Sequence, residues 1–236
     1  MKAILETHDL KVQYGEVVAV DNLSITVPIG ESVGLIGPNG AGKTTLLKAL
    51  SGVLPVSKGN VKYMDKDVTS KKSYEMSRMG VSLIPEGRLP FASLTVKENL
   101  LLPAYSIKLN KNEIKEHLEF VYDLFPRLKE RSNQKAGNLS GGEQQMMVIS
   151  RALMMRPKVL LIDEPSLGLA PIIIEQIYEV IPKLLKTDLS ILLVEQSSEL
   201  ALSVCSNIYV MREGKMVHSG NADRLNKSEL AEYYLR

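Results

Sequence analysis

The chain has 236 residues, 44% of them hydrophobic and 24% charged, with a formal net charge of +2. This is the make-up of a globular protein with one sizeable core, and so small a charge speaks against a nucleic-acid partner, which needs a basic stripe. The single cysteine, Cys205, excludes an internal disulfide and fits a reducing compartment; no apolar run nears the roughly 18 residues of a membrane span, and the first residues lack the apolar core of a secretion signal, so a cytoplasmic location is expected.

Residues 4–36 read as strands, with β-rich segments at Leu10–Tyr14, Val17–Val20, Leu23–Val27 and Ser32–Ile36, punctuated by Gly15, Pro28 and Gly30. A glycine-rich loop follows, and then a helix from Lys43 to Ser51 that Gly52 can stop. Val61–Met64 and Val81–Ile84 read as strands. From about Pro85 to Pro157 the pattern is helical. Thr95-Val96-Lys97-Glu98 is a capping box that opens one helix. Asn112–Phe125 is amphipathic, with Ile114, Leu118, Val121, Leu124 and Phe125 on one face. Ser140–Met155 forms another helix, opened by a serine with a glutamate three residues on. Strands return at Val159–Ile162, Ile191–Val194, Ile208–Met211 and Met216–His218. Helices Pro171–Lys186 and Ser197–Val204 lie between them, and Asp223–Arg236 reads as a helical tail. Cys205 stands among Leu202, Val204 and Ile208, which predicts a buried structural thiol. The alternation of strand and helix, interrupted by a helical stretch, is an α/β pattern.

Three stretches carry chemistry. Gly37-Pro38-Asn39-Gly40-Ala41-Gly42-Lys43-Thr44 follows a strand and opens a helix, the context a phosphate-binding loop requires. Its glycines permit a tight turn that points N–H groups at phosphates, and the helix N-terminus adds partial positive charge. Lys43 supplies a cation for the β- and γ-phosphates, and the Thr44 hydroxyl can bind Mg²⁺. Asp163 ends the apolar run Val159-Leu160-Leu161-Ile162, where a carboxylate can meet Mg²⁺ directly or through water; Glu164 beside it is the candidate general base. Leu139-Ser140-Gly141-Gly142-Glu143-Gln144-Gln145 offers a second anion site, a serine and two glycines at a helix start. Ser140 also has the plain reading of a helix cap.

In this order and spacing the three stretches resemble the ATP-binding subunit of an ABC transporter, and the resemblance covers nearly the whole chain. Ile84-Pro85-Glu86-Gly87-Arg88, Leu124-Phe125-Pro126-Arg127-Leu128, Asp163–Pro171 and Leu193-Val194-Glu195-Gln196 are similar to the ATPase of branched-chain amino-acid uptake systems. The resemblance implies a P-loop (RecA-like) ATPase core with an antiparallel β subdomain and an inserted α-helical subdomain. The nucleotide-binding core is expected over residues 1–85 and 158–236, and the helical subdomain over 86–157. It implies ATP and Mg²⁺ as cofactors, held by Gly37 to Thr44 and Thr45. Tyr14 would stack on adenine, and Ser140, Gly141, Gly142 and Glu143 would face the γ-phosphate of ATP on an opposite subunit. Two chains would then sandwich two nucleotides, as a homodimer or with a different ATPase subunit. Transmembrane permease subunits would be further partners, with the chain held peripherally at the cytoplasmic face of the membrane.

The chain departs from the wider family at three places. Glu86 stands where glutamine is usual; it can still meet Mg²⁺ or order water, but it adds negative charge near the γ-phosphate. Gln196 replaces the usual histidine, and as an amide it carries no titrating proton at neutral pH, so it is expected to sense the γ-phosphate while Glu164 handles the proton. Gly168-Leu169 replaces an aspartate common after Pro165. Gly87–Phe91 is expected to face the membrane subunits. The leading reading is a hydrolytic motor powering import of a small solute, with branched-chain amino acids the first choice. The alternatives are a soluble ABC ATPase serving assembly or repair, or a non-catalytic ATP-binding partner; Lys43, Asp163 and Glu164 argue against the last.

Overall fold

The computed structural model describes residues 2–107 and 109–225. In chain order, β1 (Ala3–Tyr14), β2 (Val17–Leu23) and β3 (Thr26–Pro28) precede β4 (Ser32–Ile36) and α1 (Lys43–Leu50). Then come β5 (Lys58–Tyr63), β6 (Lys66–Asp67), α2 (Ser73–Met79) and β7 (Val81–Ile84). Helices α3 (Val96–Ser106), α4 (Lys111–Leu124), α5 (Pro126–Glu130) and α6 (Gly141–Leu153) follow without an intervening strand. The chain closes with β8 (Val159–Asp163), α7 (Pro171–Tyr178), α8 (Val180–Leu185), β9 (Ser190–Glu195), α9 (Ser198–Val204), β10 (Asn207–Arg212) and β11 (Lys215–Asn221).

Among the described residues two sheets form. One is antiparallel, in the order β2-β1-β5-β6, with β3 also paired to β1. The other runs β11-β10-β4-β9-β8-β7 and is parallel from β10 to β7, with β11 antiparallel at its edge. Strands β4, β8 and β9 are buried along their whole length, which is why they read as unbroken apolar runs rather than alternating ones. Their side chains still alternate between two faces. Val33, Leu35, Leu161, Leu192 and Val194 pack with α1 and the antiparallel sheet. Ile36, Leu160, Ile162, Ile191 and Leu193 pack with α6 to α9 and with residues of α3, α4 and α5, such as Val96, Leu100, Val121 and Leu128.

Several elements differ from the sequence expectation. The strand expected from Leu10 begins at Ala3, because its first half pairs with β3 and β5. The strand expected over Leu23–Val27 is broken at Ser24-Ile25, where the Thr7 hydroxyl takes over the ladder: it donates to Leu23 O at 3.0 Å and accepts from Ile25 N at 2.9 Å. Val61–Met64 belongs to a strand that starts earlier, at Lys58, and ends at Tyr63; Met64 and Asp65 turn the chain with φ of 49° and 64°. Helix α2 has no counterpart in the sequence reading; only Met76 of its residues is buried, so it leaves little apolar period to read. Pro171–Lys186 is two helices, since Pro182 lacks the N–H that would bond the Tyr178 carbonyl, and α7 ends at Tyr178. Of the expected tail helix, Ala222–Arg224 is a 3₁₀ turn, and residues 226–236 lie outside the described residues.

Candidate functional site

Ligands of open α/β sheets bind beyond the carboxyl ends of the parallel strands. Here β4, β8 and β9 end side by side, with Ile36 opposite Glu195 and Asp163 opposite Val194. The residues that follow these strands therefore converge: Gly37 after β4, Glu164 after β8, Gln196 after β9. A cavity of about 400 Å³ lies there, lined by Asn39 to Thr45 together with Ala19, Glu86, Glu164, Leu167 and Gln196.

Helix α1 starts at Lys43 behind Gly42, which has a left-handed φ of 101° and caps no amide with a side chain. A methyl group on Gly42 would overlap the Ala19 carbonyl, so the tight loop needs glycine there. No acidic residue stands in the first turn of α1, which leaves its positive end available to a ligand anion. Lys43 is 4% exposed. Its Nζ donates to Gly37 O at 2.7 Å and Pro38 O at 3.0 Å, and lies 3.3 Å from Glu164 Oε1. A buried ammonium requires such partners. Glu164 takes a left-handed φ of 46°, and its N–H donates to Val194 O at 3.0 Å. Gln196 Nε2 donates to Glu164 Oε2 at 3.0 Å and also to Asn39 Oδ1. Lys43, Glu164, Gln196 and Asn39 thus form one bonded cluster at the mouth of the loop.

Thr44 Oγ1 donates to Asp163 Oδ1 at 3.2 Å. Burial is the main reason that the Asp163 carboxyl is pushed up to about 6, and the negative charges of Glu164 and Glu86 push the same way. A buried carboxylate with two further negative charges nearby is a place where a cation fits. The available donors of Thr44, Asp163 and Glu86 are all oxygens, as Mg²⁺ prefers, and no cluster of three or more His, Cys, Asp or Glu side chains that could hold a metal occurs among the described residues. Mg²⁺ commonly keeps several waters and takes one or two protein oxygens plus phosphate.

Tyr14 ends β1 and is 48% exposed, with its hydroxyl 3.4 Å from Thr45 Oγ1. Ser140 caps α6 as its sequence suggests: its hydroxyl accepts from Glu143 N at 3.3 Å, and Glu143 Oε2 accepts from Ser140 N at 2.9 Å. Arg131 Nε holds Glu143 Oε1 at 3.0 Å. Ser140 to Glu143 do not line the cavity over Lys43. A contact that sequence reasoning missed lies between them. Arg88 Nη2 donates to Leu167 O at 2.7 Å and Gly168 O at 3.0 Å, and its guanidinium lies against Gly141. Ala19 was missed as a cavity residue for the same reason: only the fold brings β2 beside the loop.

The fold and the site define a P-loop nucleotide-binding protein. The profile described as ABC transporter matches residues 20–167, and the chain belongs to the ABC transporter family, as one of its ATPase cassettes. It is 44% identical over 223 residues to the high-affinity branched-chain amino acid transport ATP-binding protein BraG of Pseudomonas aeruginosa, covering 94% of this chain and 95% of that one. It is 36% identical to the probable branched-chain amino acid transport ATP-binding protein LivF of Archaeoglobus fulgidus, over 97% of both chains. Its fold superposes on the crystal structure of the ADP conformation of MJ1267, an ATP-binding cassette of an ABC transporter, with a TM-score of 0.87 at 29% identity, over 100% of this chain and 99% of that one.

Proposed function

We propose that this chain is the ATP-hydrolysing subunit of an importer for branched-chain amino acids. The observation that carries the hydrolytic part is the cluster in which Lys43 and Gln196 both bond Glu164 at the mouth of the phosphate loop. The amides of Gly40 to Thr45 and the positive end of α1 cradle the nucleotide phosphates, and Lys43 exchanges its carbonyl partners for phosphate oxygens. Glu164, which lines the cavity, accepts the proton of the attacking water. Gln196 orients that water or the γ-phosphate through its N–H groups and takes no part in proton transfer. Thr44 and Asp163, with Glu86 nearby, would hold Mg²⁺, which would neutralise phosphate charge when bound. Tyr14 offers its exposed ring to the adenine, a contact worth about 1–3 kcal/mol by analogy with base stacking.

Ser140 to Glu143 lie outside the cavity around Lys43, which supports a second chain bringing its own nucleotide to them. The solute assignment leans on what BraG and LivF are named for. No described helix is long and apolar enough to cross a membrane; in this reading permease subunits supply the path, with this chain peripheral at their cytoplasmic side. Their docking surface includes Phe91 and Leu102, exposed apolar residues that line one groove.

The test is Mg²⁺-ATP hydrolysis by the purified chain over a range of protein concentrations, beside Glu164→Gln. Activity rising more steeply than concentration, and abolished in the variant, is expected. Hydrolysis that persists in Glu164→Gln would remove the assigned base.

A further inference from the structure

Glu195 is the last residue of β9, 1% exposed, and directly precedes Gln196. Besides the backbone N–H of Gln196, three donors meet its carboxylate. Tyr178 Oη donates to Oε1 at 2.6 Å, Ser166 N donates to Oε1 at 3.2 Å, and Ser166 Oγ donates to Oε2 at 2.9 Å. Tyr178 closes α7, and Ser166 is two residues past Glu164. One buried side chain therefore ties together the strand end that carries Gln196, the loop that leaves Glu164, and a helix of the core.

Burial raises the proton affinity of both the Glu195 carboxyl and the Tyr178 hydroxyl. Placing a carboxylate here is costly unless it is bonded, and an apolar residue could fill the same space. Its bonds point to a geometric task. Glu164 holds a φ of 46°, uncommon for a residue with a side chain, and such a conformation lasts only where its surroundings fix it. Before it, Glu164 N is bonded to Val194 O; after it, the loop is bonded to Glu195 through Ser166. Both anchors lie on the strand end that also presents Gln196.

We infer that Glu195 is a positioning residue for ATP hydrolysis: by holding Ser166 and Tyr178 it sets the placement of Glu164 relative to Gln196. The inference rests on the reading of Glu164 and Gln196 given above. In Glu195→Gln the negative charge is lost and one acceptor oxygen becomes an NH₂ group, so that the Ser166 hydroxyl must turn from donating to accepting, while side-chain shape is kept.

The test measures steady-state kcat and KM for Mg²⁺-ATP, and Tm, on the full chain and on Glu195→Gln, Ser166→Ala, the double variant and Glu164→Gln. Small misplacements of reacting groups lower kcat by about tenfold or more. The expected result is such a fall in Glu195→Gln, with KM within about twofold and Tm nearly unchanged. Ser166→Ala should fall less, and the double variant no further than Glu195→Gln alone, as for residues acting through one contact. A kcat for Glu195→Gln within twofold of the parent, losses that multiply in the double variant, or a kcat loss matched by loss of folded protein would each overturn the inference. If Glu195→Gln does not fold, Tyr178→Phe decides: a lower kcat at unchanged KM supports the role, and an unchanged kcat overturns it. Glu164→Gln separates the two levels. If it is inactive while Glu195→Gln is normal, only the positioning role fails; if it is active, the assignment beneath fails with it.

Discussion

Lys43 and Glu164 explain each other. Neither charge would be tolerated so deep in the cleft without the other at 3.3 Å and, for Lys43, the carbonyls of Gly37 and Pro38. Both residues were legible in the sequence, because each sits in a contiguous motif whose neighbours announce it. Glu195 was not legible as a hub, since its partners Ser166 and Tyr178 are 29 and 17 positions away. Cys205 was legible as a core thiol from its apolar neighbours; it is 6% exposed, and burial pushes its thiol up to about 12. Because the thiolate is the reactive form, a raised value leaves almost none of it at pH 8. Native protein is therefore expected to resist iodoacetamide at that pH, with full labelling only after unfolding in urea, as read by mass spectrometry.

Elements follow local signals where those signals are strong. The expected capping box at Thr95 is present, with Thr95 N donating to Glu98 Oε2 at 2.7 Å, and α4 has another that the sequence reading did not single out. There the Asn110 side chain accepts from the N–H groups of Asn112 and Glu113, both at 3.0 Å. Asn110→Ala should cost about 1 kcal/mol, seen as a lower midpoint in urea with an unchanged slope. Strand β4 is tight for a different reason. A methyl group on Gly34 would stand 2.6 Å from Ile208 Cδ1 and 3.3 Å from Cys205 Sγ. Gly34→Ala is expected to destabilise by about 1–3 kcal/mol through overpacking, measurable by the same denaturation. Local signals failed where tertiary pairing dominates: β1 extends to Ala3 because two strands pair with it, and the break after Tyr178 comes from a proline four residues later, which an apolar period alone does not register.

For the whole molecule, the order of the parallel strands was beyond the sequence, yet it is what gathers residues 37–44, 163–164 and 196 at one edge. Phe91 lies in the segment Gly87–Phe91, which the sequence offers as a contact region. Leu102 of α3 lines one groove with Phe91, and Arg151 stacks over the Phe91 ring at 5.0 Å. Phe91→Ala combined with Leu102→Ala is expected to lower co-purification with permease subunits several-fold while leaving the ATPase rate of the isolated chain within about twofold, since a few clustered anchors dominate interface energy. Equal recovery of the permease would exclude this surface.

The shared core of the helices and the parallel sheet has a further consequence. Val96, Leu100, Val121 and Met147 belong to the same apolar cluster as Ile36, Leu160, Leu193 and Ile208. The helical stretch is consequently a poor module for exchange between relatives: cut out as residues 86–157 it would lose the sheet face that completes its core, and an isolated peptide of that length should show little protection of its amides in hydrogen exchange. Chimaeras that swap it would have to carry matching sheet residues with it, so substitutions in α6 and β8 are expected to be accepted in pairs rather than singly.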